Sequence, residues 1–149
     1  MYRETKDKRF LDAAQRAADF YIKHPNLPKD KIPYWDFNVE QKGYTPDFDY
    51  NANKLSYIPR DASAGALTAS ALLELSTFAK DGKKYFAQAE LMLKSLSGNK
   101  YLAKPGTNGG FILKHSVGSL PHKSEIDVPL IYADYYFLEA LLRYKKLKG

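Results

Sequence analysis

The chain contains no cysteine among its 149 residues. This absence excludes disulfide scaffolds, thiolate-bound zinc or iron–sulfur centres, and catalysis by a thiol. The chain also lacks any apolar run near the ~20 residues that a membrane-spanning helix needs. Its first eight residues, MYRETKDK, contain no apolar core of a secretory signal peptide. These absences predict a soluble globular protein that does not interact with a membrane.

Positive charge is in excess but is not concentrated in one block. Lys and Arg number 23 against 17 Asp and Glu, which gives a formal net charge of +6. Only Lys145, Lys146 and Lys148 form a cluster, and it follows a predicted helix, whose C-terminal dipole favours cations. Because a nucleic-acid-binding protein usually concentrates arginines and aromatics on one element, the pattern argues against a nucleic-acid partner. An anionic small molecule suits this charge equally well.

Apolar residues are abundant enough for a core, at 44% of the chain with 14% aromatic residues. Their helical spacing predicts four main helices over about residues 8–24, 61–79, 83–97 and 127–147, joined by long loops. The first and third helices are amphipathic, whereas the second and fourth are apolar almost all round. Pro129 is expected in the first turn of the last helix.

This alternation of amphipathic and apolar helices is typical of a double layer, in which outer helices face water and inner helices are enclosed. It predicts an all-α fold that is part of a toroidal α/α array, rather than a four-helix bundle with four similar helices. Four helices alone cannot enclose two that are apolar all round. We therefore interpret residues 1–149 as a single incomplete domain, and we expect self-association through its exposed inner helices.

The three histidines, His24, His115 and His122, lack the spacing of a zinc site, so no metal site is predicted. His115 lies in a loop between a short apolar run and the last helix, where either a ligand-binding role or a structural role is open. Trp35 is either a platform for stacking a sugar or a core anchor.

The carboxylates have simple structural interpretations. Asp61 and Asp127 precede predicted helices and are expected to be N-caps. Asp134 lies on the apolar last helix and would need a partner such as Arg143 or a tyrosine hydroxyl. The pair at positions 47 and 49 resembles a calcium loop only superficially, because the Gly and Glu of that loop are missing.

Several segments, in order, resemble glycoside hydrolase family eighty-eight, the unsaturated glucuronyl hydrolases. They are YWDF at 34–37, RDASAGALTASALLEL at 60–75, GFILKHS at 110–116 and EIDVPLIYADYYFLEALLR at 125–143. The opening YRETKDKRFL resembles the segment directly after the family's Trp-x-Arg-Gly-Gln motif, and that motif is itself absent. The resemblance covers nearly the whole chain and implies the C-terminal portion of a six-hairpin (α/α) barrel.

The resemblance implies an activity for the parent enzyme. The family removes a 4,5-unsaturated uronic acid from oligosaccharides that polysaccharide lyases produce, without a metal or cofactor. An aspartate protonates the C4=C5 vinyl ether, water adds at C5, and the hemiketal opens. Both family aspartates lie in the N-terminal part, so no catalytic residue is assigned here and the chain alone is expected to be inactive.

The resemblance also implies binding residues. Ser116 and Ser119 match a Ser-x-x-Ser motif that contacts sulphate in family members acting on sulphated disaccharides. The cation expected at position 121 is replaced by proline, so Lys123 or His122 would supply the charge and the sulphate preference stays open. His115 and Trp35 are placed near the barrel mouth by the same resemblance.

Two alternatives to a glucuronyl hydrolase portion stay open. One is a helical module that binds a protein or glycan without chemistry, and the other is a relative acting on unsaturated rhamnogalacturonan fragments. The sequence favours neither the cytoplasm nor the periplasm for the parent protein.

Overall fold

The computed structural model describes residues 1–39, 41–45 and 55–149, and within these it contains five α-helices and one β-hairpin. The helices are α1 (Tyr2–Thr5), α2 (Lys8–Lys23), α3 (Ala62–Ser76), α4 (Gly82–Leu96) and α5 (Ile131–Lys148). The strands are β1 (Ser116–Ser119) and β2 (Ser124–Val128). No helix of the described part is long and apolar enough to cross a membrane. Asp47 and Asp49 lie outside the described residues.

The four predicted helices are confirmed as α2 to α5, with ends that differ by a few residues from the expected ones. Helix α3 begins where predicted, because Oδ1 of Asp61 accepts hydrogen bonds from the backbone N–H groups of Ser63 at 2.9 Å and Ala64 at 3.3 Å. These are two of the donors that a helix start leaves without an intrahelical partner. Nine of the fifteen residues of α3 are buried, whereas amphipathic α2 has no fully buried residue.

The start of the last helix was predicted wrongly. Helix α5 begins at Ile131, so Pro129 precedes it, and Asp127 is not its N-cap but a residue of β2. The reason is a hairpin in which β1 and β2 run antiparallel, pairing Val117 with Ile126 and Ser119 with Ser124. The fold is therefore mainly helical, with one small sheet whose residues were predicted as loop and, at 127–128, as the start of the last helix.

The core forms where α3 packs against α4 on one side and α5 on the other. Ile32, from the loop after α2, closes one end of this core and is fully buried. Gly65 of α3 makes room for it, because a Cβ atom at Gly65 would lie 2.7 Å from Cδ1 of Ile32.

Helix α5 is covered on one side only. Its buried residues are Ala133, Asp134, Phe137 and Ala140, while Ile131, Tyr135 and Leu142 are 71%, 62% and 61% exposed. A helix that is apolar all round is normally enclosed by neighbours. The described residues supply only part of that enclosure, which agrees with the expectation from the sequence.

Candidate functional site

The hairpin is attached directly to the start of α3. The backbone N–H of Ala62 donates to the carbonyl of His115 at 2.9 Å, and Oδ1 of Asp61 lies 3.5 Å from the backbone nitrogen of Val117. The predicted site residues of the hairpin are thus fixed relative to the N-terminus of a core helix. That end of a helix carries a partial positive charge, which favours anionic ligands nearby.

His115 is held by a carboxylate that the sequence reasoning assigned elsewhere. Nδ1 of His115 lies 2.7 Å from Oδ1 of Asp127, and the hydroxyl of Tyr57 donates to the other oxygen of the same carboxylate. This hydrogen bond to Asp127 raises the pKa of Tyr57 above its usual range. A carboxylate that accepts from Nδ1–H fixes the imidazole tautomer and leaves Nε2 for another partner.

Both members of this pair have unusual backbone conformations. The φ angle is +64° at His115 and +56° at Asp127, in the left-handed region that residues other than glycine rarely adopt. Lys123 and Glu125, on the same hairpin, share this conformation. Such conformations cluster at functional sites and persist only where the surrounding structure holds them.

The two serines of the Ser-x-x-Ser motif lie in different environments. Ser116 is completely buried, and its hydroxyl has no hydrogen-bond partner among the described residues. Ser119 lies at the other end of β1, where its hydroxyl is 2.7 Å from Nδ1 of His122. Lys123 follows in the exposed turn. Ser119, His122 and Lys123 are therefore brought together at the tip of the hairpin, apart from Ser116.

Trp35 is half-buried in the loop between α2 and α3, and its backbone N–H donates to the carbonyl of Pro59 at 3.1 Å. Its neighbour Tyr34, not Trp35, lines the cavity next to His115. The aromatic residues in the cavity wall are therefore Tyr34 and Tyr57, and not the predicted Trp35.

That cavity has a volume of about 290 Å³ and is lined by Tyr34, Tyr57, Ile58, Arg60, Lys100, His115 and Asp127. Sequence reasoning missed Tyr57, Arg60 and Lys100 as site residues. Tyr57 and Arg60 come from one stretch of the chain and Lys100 from another, and the three share no motif spacing. Only Arg60, next to the predicted cap Asp61, lay beside a recognised motif.

Arg60 is anchored in the wall of the cavity. Its side chain is 15% exposed, it forms an ion pair with Asp30, and its Nε donates to the carbonyl of Ile32 at 3.0 Å. Asp30 also accepts from the hydroxyl of Tyr101 at 3.0 Å. Burial raises the pKa of Asp30. The charge of Arg60 and the hydrogen bond from Tyr101 lower that pKa by more than burial raises it, so it lies below its usual range.

No group of three or more His, Cys, Asp or Glu side chains within the described ranges is arranged to hold a metal ion. The polar groups around the cavity are instead hydrogen-bond donors and cations, together with two carboxylates that are already paired. Arg60 and Lys100 balance these two carboxylates in formal charge, and the arrangement can bind an oxygen-rich molecule through hydrogen bonds.

No family model matches the chain. Among curated proteins, it is 44% identical over 146 residues to an unsaturated glucuronyl hydrolase of Formosa agariphila, covering 98% of this chain and 33% of that protein. It is 31% identical to an unsaturated chondroitin disaccharide hydrolase of Streptococcus pneumoniae, covering 97% of this chain and 34% of that one.

Solved structures give the same result. An unsaturated glucuronyl hydrolase specific for heparin superposes with a TM-score of 0.86 at 56% identity, covering 99% of this chain and 36% of that structure. A mutant of the Streptococcus agalactiae enzyme, in complex with dGlcA-GalNAc6S, superposes with a TM-score of 0.77 at 29% identity, covering 97% and 36%. The chain spans about one third of the length of these relatives.

Proposed function

Because the chain is homologous, over almost its whole length, to one third of the α/α-barrel unsaturated glucuronyl hydrolases, we propose that it forms the C-terminal part of such an enzyme. The observation that carries this proposal is the superposition with the heparin-specific enzyme, at a TM-score of 0.86 over 99% of the chain. In such an enzyme the chain supplies inner and outer helices of the barrel and the loops at one end of them.

The proposed substrate is an unsaturated uronyl oligosaccharide from a glycosaminoglycan, with sulphated forms included. In the proposed reaction a proton adds to C4 of the unsaturated uronic acid and water adds to C5. The resulting hemiketal opens, and the bond to the next sugar breaks. The aspartates for this chemistry are assigned to the part of the barrel outside this chain. The residues of this chain bind and orient the substrate.

Within the chain, we assign substrate binding to the hairpin. His115 presents Nε2, and Ser119 and Lys123 lie at the exposed turn, where a hydroxyl and an ammonium group suit a sulphate or a sugar hydroxyl. Ser116 is buried and would touch substrate only if the hairpin opens, whereas Trp35 is half-buried and keeps part of its surface accessible.

The test of this function is a chimeric enzyme in which this chain replaces the matching third of the Formosa agariphila hydrolase. Loss of the C4=C5 ultraviolet absorbance of unsaturated heparin and chondroitin disaccharides is the readout. We expect the chimera to consume one of these substrates and the isolated chain to consume neither. A folded chimera with no activity, beside an active parent enzyme, contradicts the proposal.

We also propose that the isolated chain self-associates through the exposed face of α5, since Ile131, Tyr135 and Leu142 are more than half exposed there. Leu142→Glu is expected to weaken this association and so to lower the weight-average sedimentation coefficient of the sample. Leu91→Glu is the matched control, because Leu91 is a 46% exposed leucine on amphipathic α4. If the unsubstituted chain sediments as a monodisperse monomer, the result would instead favour a self-contained binding module.

A further inference from the structure

Four large apolar side chains of α5 lie in one line along the helix. They are Ile131, Tyr135, Leu138 and Leu142, and each is between 47% and 71% exposed. Their intervals of four, three and four residues keep them on one side of an α-helix, opposite the buried Ala140. Helices of a coiled coil present this same spacing to each other. We name the line of four residues the α5 seam, and its spacing suits packing against one further helix.

The α5 seam is the side of the helix that the described residues leave open. Helix α5 packs mainly against α3, with a smaller contact to α4. Ala133, Phe137 and Ala140 belong to the core that these helices share, whereas the four seam residues remain in contact with solvent. A contiguous exposed apolar patch on a protein surface commonly marks an interaction site.

A cavity of about 460 Å³ adjoins the C-terminal end of the α5 seam, between α3 and α5. Leu142 of the seam and Phe78, which follows α3, form apolar parts of its wall. Arg143 lies in the same wall, with Nη1 at 2.6 Å from Oε2 of Glu74 on α3. Because this cation is already paired, a partner that covers the cavity does not leave it buried and uncompensated. A helix that covers the seam can therefore contact α3 as well as α5.

The relatives of the chain indicate what covers the seam. The chain matches the C-terminal third of α/α-barrel hydrolases, so about two thirds of such a barrel lie outside the matched part. An α/α barrel is a closed ring, in which an inner helix packs between two other inner helices. Among the described residues α5 has one such neighbour, α3. The open side of α5 is the place where a helix of the other two thirds would pack.

We propose that the α5 seam is the docking surface for the other two thirds of an α/α barrel, and that the two parts associate without a peptide bond between them. Since the isolated chain uses the same seam to self-associate, docking and self-association exclude each other. The choice of partner rests on the proposed function, whereas the exposure and the spacing of the seam do not.

The seam is presented by a surface that is already folded. Helix α3, against which α5 packs, has nine of its fifteen residues buried and is capped by Asp61. Docking on such a surface does not have to order the helix that carries the seam, which removes one of the usual costs of association. A covalent link mainly raises the effective concentration of the two parts. Unlinked parts therefore stay together when their concentration exceeds the Kd.

The chimera of this chain with the Formosa agariphila hydrolase provides the test, with the cleavage site of a sequence-specific protease inserted directly before Met1. The chimera is folded first and cut afterwards, so neither part has to fold by itself. At micromolar concentration, we expect the cut parts to elute from a size-exclusion column as one 1:1 complex. Cut parts that elute separately overturn the proposal.

The contribution of the seam is measured from the Kd of the cut parts, by fluorescence anisotropy on serial dilution. Leu142→Glu is expected to raise the Kd at least about tenfold, because a carboxylate then enters an apolar contact. Leu91→Glu, on amphipathic α4, is the matched control and should leave the Kd unchanged.

Leu142→Ala removes apolar surface from the seam without adding a charge, and it serves if the glutamate variant of the chimera does not fold. It is expected to raise the Kd about fivefold. A Kd that is unchanged by the substitutions at Leu142, or that changes equally with Leu91→Glu, overturns the role of the seam.

The exclusion of self-association is tested by adding an excess of the cut complex to the labelled, isolated chain. We expect the labelled chain to leave its self-associated species and to exchange into the 1:1 complex, as sedimentation velocity would show. A larger species, in which the labelled chain binds to an intact 1:1 complex, would show that the two contacts use different surfaces and would overturn the exclusion.

Failure of this inference is distinguishable from failure of the proposed function. An uncut chimera that consumes the unsaturated disaccharide, but whose parts separate on cutting, overturns the docking and leaves the function. A folded chimera that is inactive before and after cutting, but whose parts stay together through the seam, overturns the function and leaves the docking.

Discussion

Asp134, in the first turn of α5, accepts hydrogen bonds from the backbone N–H groups of Ile112 and Leu113, one on each carboxylate oxygen and both at 2.8 Å. Its side chain is almost fully buried, and the two donors lie more than twenty residues earlier in the chain. The apolar segment 111–113 is thereby attached to the start of an inner helix. The prediction that Arg143 or a tyrosine hydroxyl pairs with Asp134 is therefore wrong.

We expect Asp134→Asn to destabilise the chain by about 2–3 kcal/mol, since the amide oxygen replaces only one of the two accepting oxygens and the NH₂ group faces the other N–H. Urea unfolding followed by circular dichroism measures the change. Asp12→Asn, on the exposed side of α2, is the control and should leave the midpoint in place. Equal midpoints for the two variants would show that this contact contributes no stability.

Asp19 on α2 makes the chain sensitive to acid. Hydrogen bonds from Lys23 and then Lys84, at 2.8 and 2.6 Å, hold the pKa of its carboxyl well below the usual range. Because the folded-state pKa is the lower one, the stability is present above the unfolded value of about 3.9 and is lost as the pH falls below it.

Asp19→Asn is therefore expected to cost about 1 kcal/mol near neutral pH and progressively less as the pH falls toward about 2. Free energies of unfolding in urea at several pH values provide the measurement. The carboxylate is 30% exposed, so high salt should reduce the difference as well. A cost that stays constant with pH would contradict the assignment.

Buried tyrosines give the opposite response at alkaline pH. Burial raises the pKa of Tyr21 and of Tyr101 far above the usual value, and the hydroxyl of Tyr101 also donates to Asp30. Stability from these groups is complete below the unfolded pKa of about 10 and declines as the pH rises above it.

Absorbance at the tyrosinate wavelength should consequently rise in two stages, with the second stage coinciding with unfolding. Tyr101→Phe is expected to lower stability at neutral pH by about 1 kcal/mol and to flatten its decline at high pH. Tyr135→Phe, at a 62% exposed position, serves as the comparison. A single titration step without unfolding would contradict the burial of both groups.

Gly82, the first residue of α4, is required by a close backbone contact. A Cβ atom there would lie 2.1 Å from the carbonyl oxygen of Ser76, at the end of α3. Gly82→Ala is expected to cost about 1–3 kcal/mol, because the turn between the helices must shift. Gly98→Ala, with its nearest atom at 3.2 Å, should cost less, as thermal unfolding of both variants would show.

The helical part of the fold could be predicted because local signals agree there. The uncharged stretch 62–73 marks a buried helix, and Asp61 marks its start through a bond that spans only two or three residues. The hairpin could not be predicted in the same way. Lys123 and Glu125 adopt left-handed backbone conformations that their residue types do not favour, and those conformations depend on contacts made elsewhere in the chain.

The candidate site was predictable only in part for the same reason. His115, Ser119 and Lys123 lie close together in sequence and were named from it. Arg60 and Asp30, by contrast, meet across a separation of 30 residues, and Tyr57 meets Asp127 across 70. Such contacts join residues that are distant in sequence, and no local pattern encodes them.

The carboxylate of Asp61 stands between two elements at once, since Oδ1 caps α3 and also approaches the first residues of β1. The backbone N–H of Ala62, the first residue of α3, also donates to the carbonyl of His115 at 2.9 Å. The base of the hairpin and the first turn of α3 therefore share their hydrogen bonds, so a displacement of either one breaks contacts that the other also uses.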